Sequence, residues 1–502
     1  MKARERVHPH DGAPHFLHYP RHDTFFHQQM YIDWVYRAYT HGLRLIVVSV
    51  TNSETLCEFA TQAEGASCDD TDVIERQLSA LKHMDRWIHL HEGGWLQWAH
   101  SAQEARDIIE DNRLAVVAAT EVDTLFGCEK PENGCDVKAG VELLFDRGVR
   151  HVGPIHLANN GLGGNALYNE FFAANNQFLR GSYPTPIECR QTDVTYTFRG
   201  GSSLPVAIKL LSFFKSGRWY SPDYAKVTRH CNELGLSRHG VAAIRELVLR
   251  GMIVDLEHMS DLSSRQSLEL LESYDAPAML SHTWLRKLKP TRLEIEQRYG
   301  KKFLKTHWDQ QRSEMHSPDD LVRKVVESGG VVGLLLNQGW VSNANGSMVR
   351  NDCDTSSKSF AQALHHAHKL TGGSVGLGTD VNGLAGLPGP RFGLDACGGE
   401  HNQVDQQLNQ RNLQRNGRRL RYDGTDLPRA GAKPINLARL GHEDMDLNVQ
   451  GLAHYGLIPD FLADLRAIGT PENQIDALFA AALAYVEMWE KAEKAASKLS
   501  AR

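Results

Sequence analysis

The chain has 502 residues and a mass of 56.1 kDa, which is long enough to bury a large core without disulfide or metal support. Hydrophobic residues make up 41% of the chain and charged residues 23%, which excludes collagen, coiled coils and wholesale disorder. The net charge of −6 excludes the basic excess expected of a nucleic-acid-binding protein. The 25 histidines are numerous, and histidine is a common metal ligand and acid–base group.

The sequence carries only weak indications of a membrane-spanning segment, a secretory signal or disulfide bonds. The best apolar runs, Leu45–Val50 and Val331–Leu336, are far shorter than the roughly 18 residues that span a bilayer. The first 20 residues lack the apolar centre of a secretory signal, which predicts a cytoplasmic protein. Eight cysteines without a CxxC motif predict free thiols, although Cys128 and Cys135 bracket a loop and could pair in an oxidising compartment.

Seven short apolar runs alternate with helical patterns and predict the strands of a parallel sheet. The runs are continuous rather than alternating, which is typical of strands covered on both faces. They are Leu43–Val50, Leu114–Val122, Val149–Leu157, Gly251–His258, Pro277–His282, Gly330–Asn337 and Ser374–Asp380.

Two helices are predicted most clearly. An apolar stripe before the fourth run is formed by Val241, Ile244, Leu247 and Val248. A long closing helix is predicted over Ile475–Leu499, with Thr470 as its N-cap and Pro471 at the first helical position.

Repeated strand–helix units predict a parallel sheet that is either open or closed. An open nucleotide-binding sheet would carry a glycine-rich turn after its first strand, but TNSETLCEF follows Val50. The glycine-rich NNGLGGN at Asn159–Asn165 lacks the GxGxxG spacing and opens a long loop. We therefore predict an α/β fold of the (β/α)8 TIM-barrel type, in which the first strand is missing or atypical. The expected organisation is an N-terminal segment over 1–42 and a barrel over 43–500, with insertions at about 160–229 and 383–450.

Polar side chains end five of the seven runs, and they are Glu121, His156, His258, His282 and Asp380. Catalytic groups of a TIM-type barrel lie at the carboxyl ends of its strands. Taken singly, each of these groups could be a hydrogen-bonded structural residue. Five together at one barrel mouth would be costly to bury without a cation or a substrate.

Imidazoles with a carboxylate and no thiolate favour zinc or a similar metal. Such an ion lowers the pKa of a bound water to about 7. A nearby aspartate could take the proton and return it to a leaving amine. The strand ends therefore predict metal-dependent hydrolysis of an amide, ester or similar bond.

Four segments between Leu114 and Gly383 resemble the membrane (renal) dipeptidase family, which is peptidase family M19 of the amidohydrolase superfamily. They are GVRHVGPIHLANNGLGGN, LGLSRHGVAAIRELVLRGMIVDLEHMS, APAMLSHTW and VGLGTDVNG. The N-terminal RHDTFFHQQMYIDWVYRAYTHGLRLIVVSV and the later GLAHYGLIPDF resemble a longer bacterial subgroup of the family. The resemblance implies a metal-dependent barrel that usually holds two zinc ions and hydrolyses dipeptides.

The resemblance also implies a role for each strand-end residue. Glu121 would bridge both metals, and His258 and His282 would hold the second metal. His156 would contact the substrate and polarise its carbonyl, and Asp380 would be the acid–base group.

Arg292 lies near the position of the family's arginine for the substrate carboxylate, although the local sequence departs from the family.

The first metal is the point at which this chain departs from the family, whose first strand ends in HxH or HxD. His8 and His10 have the HxH spacing, but they follow MKARERV, which does not read as a strand, and Asp11-Gly12 predicts a turn there. Two interpretations stay open. His8 and His10 are an unusual metal pair, or the chain lacks its first strand and part of its site. We therefore expect one or two zinc ions.

Three functions remain open at this level. The first is a dipeptidase-like hydrolase with a small dipeptide-like substrate. The second is an amidohydrolase for a lactone or an N-acyl amino acid, and the third is a non-catalytic binding barrel with an incomplete metal site. A homodimer is left open, and neither nucleic acid nor a membrane segment is expected.

Overall fold

The protein is described by a computed structural model with two compact units. The smaller unit consists of Met1–Leu43 and Gly333–Ala481, and the larger unit of Arg44–Val332 and Ala482–Arg502. The structure describes residues 16, 19–24, 27–61, 67–130, 132, 134–198, 224, 227–291, 293–297, 311–383, 385–398, 417–440 and 443–501. The division into 1–42 and 43–500 stays a prediction.

Parallel strands form the sheet of the larger unit. The strands of this unit are β1 (Leu45–Asn52), β2 (Leu96–Trp98), β3 (Leu114–Val122), β4 (Val149–Gly153), β5 (Pro186–Glu188), β6 (His230–Asn232), β7 (Ile253–Asp255) and β8 (Ala278–Thr283). The order is β1-β3-β4-β7-β8, with β2 also paired to β3, and all these pairs are parallel. Strands β5 and β6 form a separate antiparallel pair. Because parallel strands share one direction, the residues at their carboxyl ends lie along one edge of the sheet.

Helices connect these strands, as expected for parallel crossovers. They are Glu54–Thr61, Asp70–His91, Ala102–Glu110, Val137–Asp146, Glu170–Arg180, Arg238–Leu249, Asp261–Ser273, Asp319–Glu327 and Ala481–Ser500, with short 3-10 helices at Leu125–Gly127 and Arg286–Leu288. Several begin at a side chain that accepts backbone N–H groups, for example Asp69 and Ser260. No helix among the described residues is both long and apolar enough to cross a membrane.

The apolar core of the larger unit lies between the sheet and the last helix. Tyr485 and Trp489 of that helix pack with Val117, Ile253 and Met279 of three strands. Trp489 and Val117 are fully buried. Each such side chain contributes about 1.5–3 kcal/mol when it leaves water. This packing fixes the strands whose ends carry the polar residues.

Close packing explains the glycine-rich Asn159–Asn165 segment. A Cβ at Gly164 would lie 2.3 Å from the carbonyl oxygen of Leu234, so no larger residue fits there. The segment also receives a hydrogen bond from the backbone N–H of Ser260 to the carbonyl of Gly164, at 2.8 Å. These glycines therefore let two loops approach each other beside His258.

The smaller unit contains a second set of elements. Strand β9 (Val331–Leu335) crosses the boundary between the units and pairs in parallel with β10 (Gly376–Gly378), and β11 (Ala438–Leu440) pairs antiparallel with β12 (Glu443–Met445). The helices are Ile32–Thr40, Ser357–Thr371, Leu447–Gln450, Ile458–Ala467 and Glu472–Phe479, with 3-10 helices at His27–Met30 and Tyr455–Leu457. Trp34 stacks on the buried His454, with ring centroids 3.6 Å apart.

All seven predicted strands are present, and the prediction of a parallel α/β fold is confirmed. The predicted helix around Ile244 is Arg238–Leu249, but Val241 is 44% exposed and lies off its buried face. The prediction of a single closing helix was wrong, because Glu472–Phe479 and Ala481–Ser500 are separate helices. Pro471 occupies the N-cap itself, without a side-chain cap.

The prediction of free thiols was wrong. All eight cysteines form disulfides, which are Cys57–Cys68, Cys128–Cys135, Cys189–Cys231 and Cys353–Cys397. Only the Cys128–Cys135 pair was anticipated, because its partners are close in sequence, whereas two of the other pairs are 42 and 44 residues apart. Disulfides persist mainly in oxidising compartments. A cytoplasmic location stays a prediction that these bonds do not favour.

The disulfides give a direct test. Iodoacetamide is expected to modify no cysteine of the denatured, unreduced protein, because every thiol is in a bond. After reduction we expect all eight cysteines to be modified, which serves as the control. Intact-mass spectrometry separates the two states, and modification before reduction would contradict the pairing.

Candidate metal centre

Three side chains from three strand ends meet at the edge of the larger sheet. Glu121 is the penultimate residue of β3, His258 follows β7 by three residues, and His282 lies near the end of β8. One ligand atom from each lies within 4.8 Å of the others. His258 Nε2 is 2.9 Å from His282 Nε2 and 3.1 Å from Glu121 Oε1. These residues form what we call the triad.

The backbone at His258 is unusual. Its φ is +63°, in the left-handed region that non-glycine residues seldom adopt. The carbonyl of His258 accepts a hydrogen bond of 2.7 Å from the backbone N–H of Ala166, in the chain just after the glycine-rich segment. Strained conformations of this kind persist where surrounding structure enforces them, often at functional sites. The turn aims the imidazole back toward the other two triad residues.

The donor set of the triad fits a divalent transition metal. Two imidazole nitrogens only 2.9 Å apart, beside a carboxylate oxygen, can all be satisfied by one cation between them. Nitrogen from histidine and oxygen from glutamate are ligands that zinc accepts. Three protein ligands would also leave one coordination position open. Glu121 and His282 are only partly buried, so an ion could reach them.

Electrostatics keep Glu121 in its charged form. Burial alone would raise the pKa of Glu121, but the imidazoles of His258, His156 and His282 outweigh burial and lower that pKa. Burial lowers the pKa of His258, although Glu121 opposes that effect. A carboxylate and a neutral imidazole are the protonation states that bind a metal.

Asp255 connects the two strand ends that carry the triad histidines. Its Oδ1 accepts backbone N–H groups from Glu257, at 3.1 Å, and Ser281, at 3.2 Å. Glu257 and Ser281 directly precede His258 and His282. The other oxygen, Oδ2, lies 3.2 Å from His151 Nε2, and His151 Nδ1 lies 3.1 Å from the hydroxyl of Tyr485. A single buried carboxylate therefore sets the spacing between the two histidines.

Asp255→Asn is expected to lower metal affinity by about 10–100-fold, as changes behind metal ligands typically do. The amide oxygen can still accept both backbone N–H groups, but the NH2 group that replaces Oδ2 cannot accept a hydrogen bond from His151, and the negative charge is lost. Competition with a chromogenic chelator measures the affinity. Asp107→Asn, an exposed change in the same unit, is the matched control. Unchanged metal affinity would contradict this role of Asp255.

His156 lies beside the triad and pairs with a carboxylate. Its ring is edge-on to that of His258, with centroids 4.9 Å apart. His156 Nδ1 lies 3.2 Å from Asp123 Oδ1, and both side chains are buried. Burial alone would lower the pKa of His156, but Glu121 and Asp123 outweigh it and raise that pKa.

Three ionisable side chains, those of Glu54, Asp70 and Arg180, lie close enough to Asp123 to interact with it. Asp70 accepts the backbone N–H of Thr124 at 2.6 Å, and burial raises the pKa of Asp70 to about 6. Burial and then Asp70 raise the pKa of Glu54 to about 7. Arg180 donates to the carbonyl of Asp123 at 2.8 Å and to Thr124 Oγ1 at 2.9 Å. The Arg180 guanidinium thus places a positive charge near the carboxyl groups of Asp123, Glu54 and Asp70.

The remaining predicted site residues belong to the smaller unit or lie outside the described residues. Asp380 belongs to the smaller unit, where it follows β10 by two residues with a φ of +44°. The backbone N–H of Gly383 donates to its carbonyl at 2.9 Å. His8, His10 and Arg292 lie outside the described residues.

Three residues of the site were missed by the sequence reasoning, namely Asp123, His151 and Asp255. Asp123 had a signal in ATEVD, because residues two apart at a strand end point to one side. Asp255 is the last residue of β7 and could have been included with the strand-end set. His151 lies within an apolar run, and nothing in its local sequence reveals a buried carboxylate partner.

Sequence comparison finds a similarity to a curated dipeptidase. The chain is 27% identical over 154 residues to Dipeptidase 3 of Mus musculus, over 28% of this chain and 26% of that protein. The resemblance to the membrane dipeptidase family is confirmed. The match spans about a quarter of the relative's length. No family model matches the chain.

Solved structures that resemble this chain do so at low sequence identity. An amidohydrolase from Pseudomonas aeruginosa is 13% identical, with a TM-score of 0.44 over 91% of this chain and 93% of that one. The probable dipeptidase PvdM from the same organism is 13% identical, with a TM-score of 0.40 over 93% and 100%. A metallo peptidase from Rhodobacter sphaeroides, liganded with a phosphinate mimic of L-Ala-D-Ala, is 14% identical, with a TM-score of 0.35 over 77% and 76%.

Proposed function

We propose that the protein is a metal-dependent hydrolase that cleaves a dipeptide or a similar amide. One observation carries the proposal. Glu121, His258 and His282 lie at three different strand ends, and one ligand atom of each lies within 4.8 Å of the others. The similarity to Dipeptidase 3 supports a dipeptide as the substrate class. The proposal includes a closed (β/α)8 barrel, of which parallel strands and crossover helices are the described part.

The triad would hold the ion, and we propose zinc because its ligands are imidazole and carboxylate. When bound, the ion would supply a Lewis acid that brings the pKa of water to about 7. Glu121 would provide the negative charge of the site, and His258 and His282 would provide nitrogen donors. A second ion would need further ligands, for which His8 and His10 are the sequence candidates.

Three further residues would handle the substrate. His156 would donate a hydrogen bond to the scissile carbonyl, because its Nδ1 faces Asp123 and leaves Nε2 on the opposite edge of the ring. Asp380 would take a proton from the attacking water and return it to the leaving amine. Arg292 would pair with the terminal carboxylate of a dipeptide, which a guanidinium binds well.

A zinc-loaded sample tests the proposal. Metal stoichiometry is measured first, and turnover is then compared for L-Ala-D-Ala and other dipeptides, N-acetyl amino acids and lactones. We expect at least one bound zinc and release of free amino acids from a dipeptide. Hydrolysis confined to lactones or N-acyl amino acids would instead support the second function. A chain that binds no metal would support a binding barrel.

A further inference from the structure

Asp123 has no role in the proposed reaction so far, although it is buried next to the residue expected to touch the substrate. We propose that Asp123 is a positioning residue that acts through His156 and fixes which edge of its imidazole faces the substrate. This inference rests on the proposed function and assigns a residue that the family resemblance does not supply.

The contact between the two side chains is specific. His156 Nδ1 is buried and has no hydrogen-bond partner among the described residues, and Asp123 Oδ1 lies 3.2 Å from it. The pair is at ion-pair distance. An unpartnered buried nitrogen is costly, so the nearby carboxylate is its natural acceptor. With Nδ1–H directed at Asp123, Nε2 is the nitrogen that faces a substrate, and it donates to a carbonyl when the ring carries both protons.

The carboxylate of Asp123 is itself held in place. Its Oδ1 accepts the backbone N–H of Leu157 at 3.1 Å, and its Oδ2 lies 3.4 Å from the amide nitrogen of Asn175. Leu157 directly follows His156, so the same oxygen contacts both the backbone and the side chain of the histidine segment. This arrangement leaves Asp123 little freedom to turn away.

Arg180 fixes the segments that carry the pair. It donates to the carbonyl of Asp123 at 2.8 Å and to the carbonyl of Asn159 at 2.6 Å. One guanidinium thus joins the end of β3 to the loop that follows His156. Because Glu121 lies two residues before Asp123, the same strand end sets both the triad carboxylate and the partner of His156. The distance from the metal ligands to the His156 imidazole is therefore fixed by one short segment.

The experiment is a double-mutant cycle on the zinc-loaded protein, with Asp123→Asn, His156→Ala and the double variant. Asp123→Asn should keep its metal and lower kcat by about 10–100-fold, with a smaller change in KM. In the His156→Ala background the same change should cost less than about twofold, because Asp123 then has no imidazole to position, whereas independent sites would give the same loss in both backgrounds. Asp107→Asn controls for loss of an exposed charge, and Asp123→Glu, which keeps the charge, should recover part of the rate.

Two results would overturn the inference. One is an equal loss of kcat from Asp123→Asn with and without His156. The other is loss of metal from Asp123→Asn, which would show that this carboxylate serves the triad instead. If Asp123→Asn does not fold, Asp123→Glu is compared in both backgrounds in the same way.

A second measurement requires no turnover and separates this inference from the proposed function. Nitrogen-15 NMR of ring-labelled protein identifies the His156 signals by their loss in His156→Ala. We expect Nδ1 to carry a proton in the unsubstituted protein and the Nδ1 signal to shift in Asp123→Asn. An identical Nδ1 signal in both would overturn the inference. Failure to hydrolyse any dipeptide, with this shift of the Nδ1 signal present, would overturn only the proposed function.

Discussion

Glu121→Gln is expected to release the metal, whereas His156→Ala is expected to retain it. Glutamine keeps the size of the Glu121 side chain but removes its negative charge, and a neutral amide oxygen is a poor zinc ligand. The two imidazoles would then be the only triad donors, 2.9 Å apart and without a counter-charge. We expect metal affinity to fall by more than the roughly 10–100-fold typical of changes behind the ligands.

His156→Ala is the matched comparison, because His156 packs against His258 but is not part of the triad. Its loss should lower turnover and leave metal content unchanged. Elemental analysis of both variants after dialysis against buffer with a weak chelator measures the difference. Equal metal content in the two variants would contradict the assignment of Glu121 as a ligand and His156 as a substrate contact.

The strands were predictable because burial on both faces demands continuous apolar runs. For β3 the run Leu114–Val122 has the same bounds in the structure, and for β8 the run 277–282 is shifted by one residue to Ala278–Thr283. A charged or polar residue directly after such a run stands out against its surroundings. Glu121, His258 and His282 were therefore visible in the sequence, and the structure places them together.

The groups behind the ligands were harder to predict, because their roles depend on partners far along the chain. His151 lies 104 residues before Asp255 and 334 residues before Tyr485. No local periodicity carries such pairings. The disulfides are a similar case, since the Cys189–Cys231 separation of 42 residues has no local signature. The closing helix was predicted as one because the apolar pattern continues through the break at Ala480.

Asp380→Asn is expected to lower kcat by about 10²–10⁴-fold, the usual contribution of a general acid–base group, while metal content stays unchanged. The amide is close in size to the carboxylate, but it cannot take up a proton from water at neutral pH. Asp380 is not one of the triad residues, so the triad ligands are intact in this variant. The positive φ of +44° at Asp380 is tolerated by asparagine as well as by aspartate, and the substitution is therefore not expected to disturb the turn.

Steady-state turnover of the best dipeptide and elemental analysis are measured on the same zinc-loaded sample. Asp395→Asn, an exposed aspartate of the same unit, controls for loss of charge. Loss of metal from Asp380→Asn would make Asp380 a ligand, as a site short of first-strand donors could require. Full turnover by Asp380→Asn would show that Asp380 does not transfer the proton. Another carboxylate at the strand ends would then have to do so. Glu54 is the candidate in the larger unit, because its pKa is raised to about 7 by burial and then by Asp70. A base with that pKa can both accept and release a proton near neutral pH.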